Sequence, residues 1–320
     1  MKEEDPFSPE RNRADALLSA GRPAEAVPLY CKLVADHPDE DSFLLALAWA
    51  LHDSRETAEA AACFERLFRK ELSRKLFTGF AYDELVRLYR EGGDREALIS
   101  VCERAADTQP GDAGLLKTLG DAYLMADRAV DASHVYETLI SLEPEAPEHW
   151  CALGAALLAM GNLNEAEAAH IRAAEMDPSE AALFFSRLAD GFLRAGHPEN
   201  AQLAMERCLA LKPGDPLYLM DLGDILVHGG KPDAAEDAYA RAAFLRPASA
   251  GACWYRLGEL LASKGLHKKA AEAVAKAVTA EPENLRHLLR LAAFYDSLGL
   301  IDQAGATLRR VEKLTKTEIN

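Results

Sequence analysis

The stretch Trp150–Pro178, WCALGAALLAMGNLNEAEAAHIRAAEMDP, decides the fold. Leu153 is followed by Gly154 in the middle of a helical run, so a bulky side chain turns inward beside a residue with no Cβ. A second helix can approach closely there, where Ala166 presents its own small face. Gly161 closes the first run in a left-handed conformation and Asn162 follows as a turn former. Pro178 then breaks the second run after its last turn. The segment predicts two antiparallel helices.

The same pattern recurs outward in both directions. Pro110, Pro144, Pro178, Pro213, Pro247 and Pro282 are 34, 34, 35, 34 and 35 residues apart, and the gap from Pro38 to Pro110 is two periods plus four residues. Leu119, Gly120, Tyr123, Ala132, Tyr136, Leu139 and Pro144 repeat the motif, and Gly196, Gly230, Gly265 and Gly299 take the place of Gly161. This resembles the tetratricopeptide repeat, whose signature is W-x2-L-G-x2-Y, then A-x3-F, then P, in a period of about 34 residues.

Nine units follow, at approximately 7–40, 41–74, 79–112, 113–146, 147–180, 182–215, 216–249, 251–284 and 285–318, with a four-residue insertion at 75–78. Their small second-helix residues are Ala26, Ala60, Ala97, Ala132, Ala166, Ala201, Ala235, Ala270 and Ala304. The resemblance implies an all-α fold, an α-solenoid of antiparallel helix pairs in a right-handed superhelix, occupying 1–320 as a single array. Departures are local. The first unit has Glu10 and Arg13 where Trp and Leu belong, which suits an N-terminal cap, and the fifth has His170 at the large second-helix position. On the last helix Leu308, Val311 and Leu314 form an apolar stripe, either a self-association surface giving a homodimer or one kept soluble by Arg309, Arg310, Glu312, Lys313 and Lys316.

Composition agrees with a folded helical chain: 49% hydrophobic, 28% charged and only 7% aromatic. The net charge of −16 argues against nucleic acid or an anionic membrane as partner. The acidic start, Met1-Lys2-Glu3-Glu4-Asp5-Pro6, lacks an apolar core, and no long apolar run follows, so a cytoplasmic chain is expected. Cys31, Cys63, Cys102, Cys151, Cys208 and Cys253 show no paired spacing and read as small core hydrophobes.

Catalytic patterns are missing where they would have to lie. Gly229-Gly230-Lys231 is followed by Pro232, not Ser or Thr, and reads as an inter-helix turn rather than a phosphate loop. The nine histidines form no H-E-x-x-H and no i, i+4 pair, and no G-x-S-x-G elbow occurs. Repeats consume nearly the whole chain, so no enzyme, cofactor or metal is expected.

Function then falls to the surface that stacking creates. The resemblance implies that first helices line a concave groove. The position after each Leu-Gly pair reads Asp15, Trp49, Arg87, Asp121, Ala155, Asp190, Asp224, Glu259 and Ala293; one turn earlier come Lys117, Cys151, Met220 and Tyr255 among others. The acids form a ladder that either grips a partner or simply keeps the helix face wet. Trp49, Arg87, Lys117, Asp121, Asp190, Asp224, Tyr255 and Glu259 are the candidate groove residues, and the partner expected is a protein or peptide with basic or amide groups and apolar side chains. The carboxylate clamp of chaperone-binding members is not supported, because Asp121 rather than Asn follows Lys117. Arg66, Arg69, Lys70, Arg74 and Lys75 near the insertion are either a docking patch or the solvated face of a lengthened helix.

The expected function is a non-enzymatic interaction scaffold, an assembly or co-chaperone-like adaptor. The alternative is an accessory or ligand-sensing subunit for a separately encoded enzyme or a secretion or glycosylation system.

Overall fold

A computed structural model describes residues 8–318 and is all-helical apart from turns. The acidic start lies outside that range. Among the described residues eighteen α-helices pair into nine hairpins, which fall into two compact units divided between Pro144 and Glu145. The first unit holds α1 (Ser8–Ser19) with α2 (Pro23–Asp36), α3 (Asp41–Asp53) with α4 (Thr57–Ser73), α5 (Phe80–Gly92) with α6 (Arg95–Thr108), and α7 (Ala113–Met125) with α8 (Ala129–Leu142).

The second unit holds α9 (Pro147–Ala159) with α10 (Leu163–Met176), α11 (Ala181–Arg194) with α12 (Pro198–Leu211), and α13 (Pro216–His228) with α14 (Pro232–Leu245). It continues with α15 (Ala250–Ser263) and α16 (His267–Ala280), then α17 (Leu285–Ser297) and α18 (Ile301–Glu318).

Each hairpin turns at a residue with positive φ. Gly161, Gly196, Gly230, Gly265 and Gly299 do so at 82°, 81°, 72°, 76° and 73°, and Gly21 and Gly93 at 69° and 71°. Two hairpins make the same turn without glycine, at Arg55 (φ 64°) and Asp127 (φ 59°). The sequence pattern does not reveal those two, because the turn geometry is imposed by helices packed on either side of it.

Within a hairpin, the close approach is made by a side chain of the second helix packed on a glycine of the first. A Cβ on Gly120 would lie 2.7 Å from Tyr136, and one on Gly223 2.5 Å from Tyr239. Gly258 lies the same way under Val274, and Gly154 under His170. Eight of the nine small second-helix alanines are buried; Ala97, in the hairpin after the insertion, is half-buried. Cores run from hairpin to hairpin, with Tyr239, Leu257, Val274 and Leu288 in one cluster of the second unit.

The insertion at 75–78 is reached by a longer helix: α4 has 17 residues, against 14 in α2. Thr78 donates through Oγ1 to Glu71 Oε1 at 2.7 Å, and Phe68 packs on Phe77 and Tyr82. Lys70 and Arg74 both close on Asp41, and Arg69 lies 3.5 Å from Glu65. Much of the basic island is thus the paired face of a lengthened helix.

One sequence expectation needs correction. Cys102, Cys151, Cys208 and Cys253 are buried, but Cys31 is exposed and Cys63 half-buried, because both lie on the outer side of second helices.

Candidate functional site

Three of the ladder acids serve their own hairpin. Tyr136 Oη donates to Asp121 Oδ1 at 2.7 Å, across a separation of fifteen residues. The same separation joins Tyr30 to Asp15 and Tyr239 to Asp224. The rings of Tyr136 and Tyr239 lie over the glycine preceding the aspartate, so the hydroxyl emerges beside that carboxylate, and the Tyr30 ring is buried as they are. Burial first, and the neighbouring carboxylate second, push all three phenols up. Asp190 differs from these aspartates because Met205 stands where the tyrosine would be.

Every acid of the ladder also faces a cation. Asp15 lies 3.7 Å from Arg11, Asp121 3.9 Å from Lys117, and Asp190 2.8 Å from Arg194, all one turn away on the same helix. Asp224 and Glu259 are reached from the next hairpin instead. Arg256 of α15 reaches back to Asp224 and lies 3.2 Å from Asp221, and Arg290 of α17 holds Glu259 through two contacts of 2.6 and 3.0 Å. These cross-repeat pairs fix α15 against α13 and α17 against α15.

The remaining candidates sit in separate places. In the first unit Trp49 makes edge contacts with His52 and Phe64, and Arg87 donates to Glu84 at 2.7 Å while its guanidinium lies 3.3 Å from His52 Nε2. His52 therefore links Trp49 to Arg87. In the second unit Tyr255 stacks on buried His287 with centroids 4.9 Å apart, and the Arg286 guanidinium lies 4.7 Å from the same ring.

Asp190 and Asp224 come together at a cavity of about 360 Å³ on α11, α13 and α15. Arg187, Asp221 and Arg256 also line it, over Leu193, Met205 and Ile225. Burial pushes the Asp221 carboxyl up, and Arg256 opposes that shift. A second cavity, of about 410 Å³, contains Glu259 and Arg290 with Phe294.

Sequence reading missed Arg187, Asp221, Arg256 and Arg290. A signal for them exists: each stands three residues before a ladder position, on the same face of its first helix. The apolar stripe of α18 is mostly covered. Val311 and Leu314 pack against the core of the second unit, whereas Leu308 is 45% exposed.

Among the described residues no helix is long and apolar enough to cross a membrane. Models described as tetratricopeptide repeat match residues 11–71, 117–181 and 186–252, with further matches at 81–114 and 252–284. The chain is 29% identical over 219 residues to human protein O-mannosyl-transferase TMTC1, covering 65% of this chain and 24% of that protein. It is 34% identical over 127 residues to the TPR repeat-containing thioredoxin TTL4 of Arabidopsis thaliana, covering 40% of this chain and 18% of that protein. The chain thus spans a quarter or less of the length of these curated relatives. Among solved structures, MamA aligns over 54% of this chain and 94% of its own at 21% identity and a TM-score of 0.42. The Cut9-Hcn1 assembly of APC/C aligns over 92% of this chain and 56% of its own at 17% identity and a TM-score of 0.41. With repeat models matching most of its length, and with helical hairpins of the corresponding period, the chain belongs to the tetratricopeptide repeat family.

Proposed function

We propose that the chain is a non-enzymatic interaction scaffold, and that the face formed by its first helices binds a segment of a partner protein. The observation that carries this reading is the exchangeable character of part of the ladder. The pairs Asp15–Arg11, Asp121–Lys117 and Asp190–Arg194 are exposed, and such same-helix pairs contribute only about 0.2–0.5 kcal/mol each. Basic or amide groups of a partner can replace those cations at little cost. Trp49 in the first unit and Tyr255 in the second offer apolar area, and Arg87 and Glu259 add polar contacts. A preformed face of this kind orders little on binding, so affinity accumulates from many modest contacts.

Asp190→Lys is the direct test. It reverses a charge at a side chain 62% exposed with no tyrosine to satisfy, so binding is altered without touching the hairpin. The partner recovered from the native extract should bind more weakly, with a smaller salt dependence; unchanged affinity and unchanged salt slope would contradict the reading. Asp224 is unsuitable for this purpose because it holds Tyr239 and Arg256.

The second reading, an accessory or sensing subunit for a separately encoded enzyme, draws on the likeness to a mannosyl-transferase over a quarter of that protein's length. Scattering profiles with and without ligand separate the two, since only a sensor changes its dimensions. A cytoplasmic site of action belongs to the same proposal, and self-association would run through Leu308 on α18, which is 45% exposed. A Leu308→Glu variant that leaves the light-scattering mass unchanged rules out that route.

A further inference from the structure

Arg256 and Arg290 stand three residues before a ladder position, and each reaches back 31 or 32 residues to the ladder acid of the preceding hairpin, Asp224 and Glu259 respectively. Arg187 occupies the same place on α11. Counting back 32 residues from it gives Ala155, which has no carboxylate to offer. Among the described residues no carboxylate lies within ion-pair distance of Arg187; its hydrogen-bond contact is Cys151 Sγ at 3.8 Å. The Arg187 side chain is exposed and lines the cavity of about 360 Å³ described above.

The other charges at that cavity are already paired. Asp190 is held by Arg194, and Asp221 and Asp224 by Arg256. Arg187 is the remaining charge there, next to a floor of Leu193, Met205 and Ile225. A guanidinium presents a fork of N–H donors that fits a carboxylate through two parallel bonds.

The geometry points to Arg187 as the anchor for an acidic side chain of the partner, an aspartate or glutamate flanked by apolar residues. Its carboxylate stands where the preceding hairpin would otherwise supply a ladder acid, and its apolar neighbours cover Leu193, Met205 and Ile225. The partner segment then carries mixed charge: an acid for Arg187, with basic or amide groups for the exposed ladder pairs. This assignment rests on the first-helix face being the binding face, yet its test uses defined peptides and so fails separately from the test made with the native partner.

The probe is the capped peptide acetyl-Leu-Glu-Leu-amide, with acetyl-Leu-Gln-Leu-amide as control, followed through the Arg187 side-chain N–H signal by NMR on the full chain. The glutamate peptide should give a saturable shift at millimolar concentration, and the glutamine peptide should bind about ten-fold more weakly, in keeping with the loss of a charge-assisted hydrogen bond. Ala155→Asp supplies the missing acid within the chain and should abolish peptide binding while raising the melting temperature at low salt. Arg187→Gln, at an exposed position, should abolish binding with the fold intact, as measured by isothermal titration. Equal binding of the two peptides, no saturable shift, or full binding retained in Arg187→Gln would overturn the assignment.

Discussion

The phenol of Tyr239, fully buried on α14, donates its hydroxyl to the carboxylate of Asp224 on α13, and Arg256 of the next hairpin holds the other oxygen of that carboxylate. Asp224 therefore joins its own hairpin internally and ties it to its neighbour. Tyr239→Phe should cost about 1 kcal/mol in urea unfolding, the net worth of a typical internal hydrogen bond. Asp224→Ala should cost more, because Tyr239 and Arg256 both lose an acceptor. Asp190→Asn, by contrast, should stay within about 0.5 kcal/mol of the parent chain, as exposed substitutions do. Equal losses at Asp224 and Asp190 would argue against the distinction between structural and exchangeable acids.

The hairpin turns at Arg55 and Asp127 supply a second prediction. Both residues occupy the left-handed region that glycine fills in the other seven hairpins. Arg55→Gly should stabilise the chain by roughly 0.5–1 kcal/mol by relieving backbone strain, partly offset by the greater freedom of glycine in the unfolded state. Gly161→Ala should destabilise by a similar amount. Chemical denaturation of the variants measures both, and a destabilising Arg55→Gly would show that the arginine side chain contributes more than its backbone costs.

A Cβ at position 223 would lie 2.5 Å from the Tyr239 ring. Gly223→Ala should therefore cost about 1–3 kcal/mol, the usual range for overpacking a close contact. In a Tyr239→Leu background the same Gly223→Ala change should cost less than in the parent chain in the same denaturation assay, since a shorter side chain vacates the space. A Gly223→Ala variant as stable as the parent would contradict the ring-over-glycine contact.

Acid should weaken the second unit through His170 and His287. Burial depresses both imidazoles below 6.5; Arg187 adds to the effect at His170, whereas Glu281 opposes it at His287. The unfolded chain then binds protons more readily than the folded one, so this contribution is complete above about pH 6.5 and is lost progressively below it. NMR midpoints below 6.5 for both rings are expected, with the His170 midpoint rising in Arg187→Gln. A midpoint at or above 6.5 for either ring would contradict the account.

The hairpins were legible in the sequence because their signals are local. Leu153 beside Gly154, Gly161 in the turn and Pro178 at the end act within one period. The ladder was legible as a column of residues, but its division of labour was not. Whether Asp121 and Asp224 face solvent or a phenol depends on Tyr136 and Tyr239 fifteen residues later. The pairs Arg256–Asp224 and Arg290–Glu259 depend on how one hairpin stacks on the next, at separations of 32 and 31 residues. Ala155 carries no signal by itself; its significance appears only once Arg187 is seen without the acid its counterparts possess.

The claim that the first-helix face carries the partner is tested most directly by site-specific photo-crosslinking in the native extract. A photoreactive residue placed at Asp190 or at Tyr255 should capture one and the same protein, and the same residue at exposed Asp237 on α14 should not. Capture of that protein from Asp237 with none from Asp190 or Tyr255 would place binding on the second helices and contradict the account.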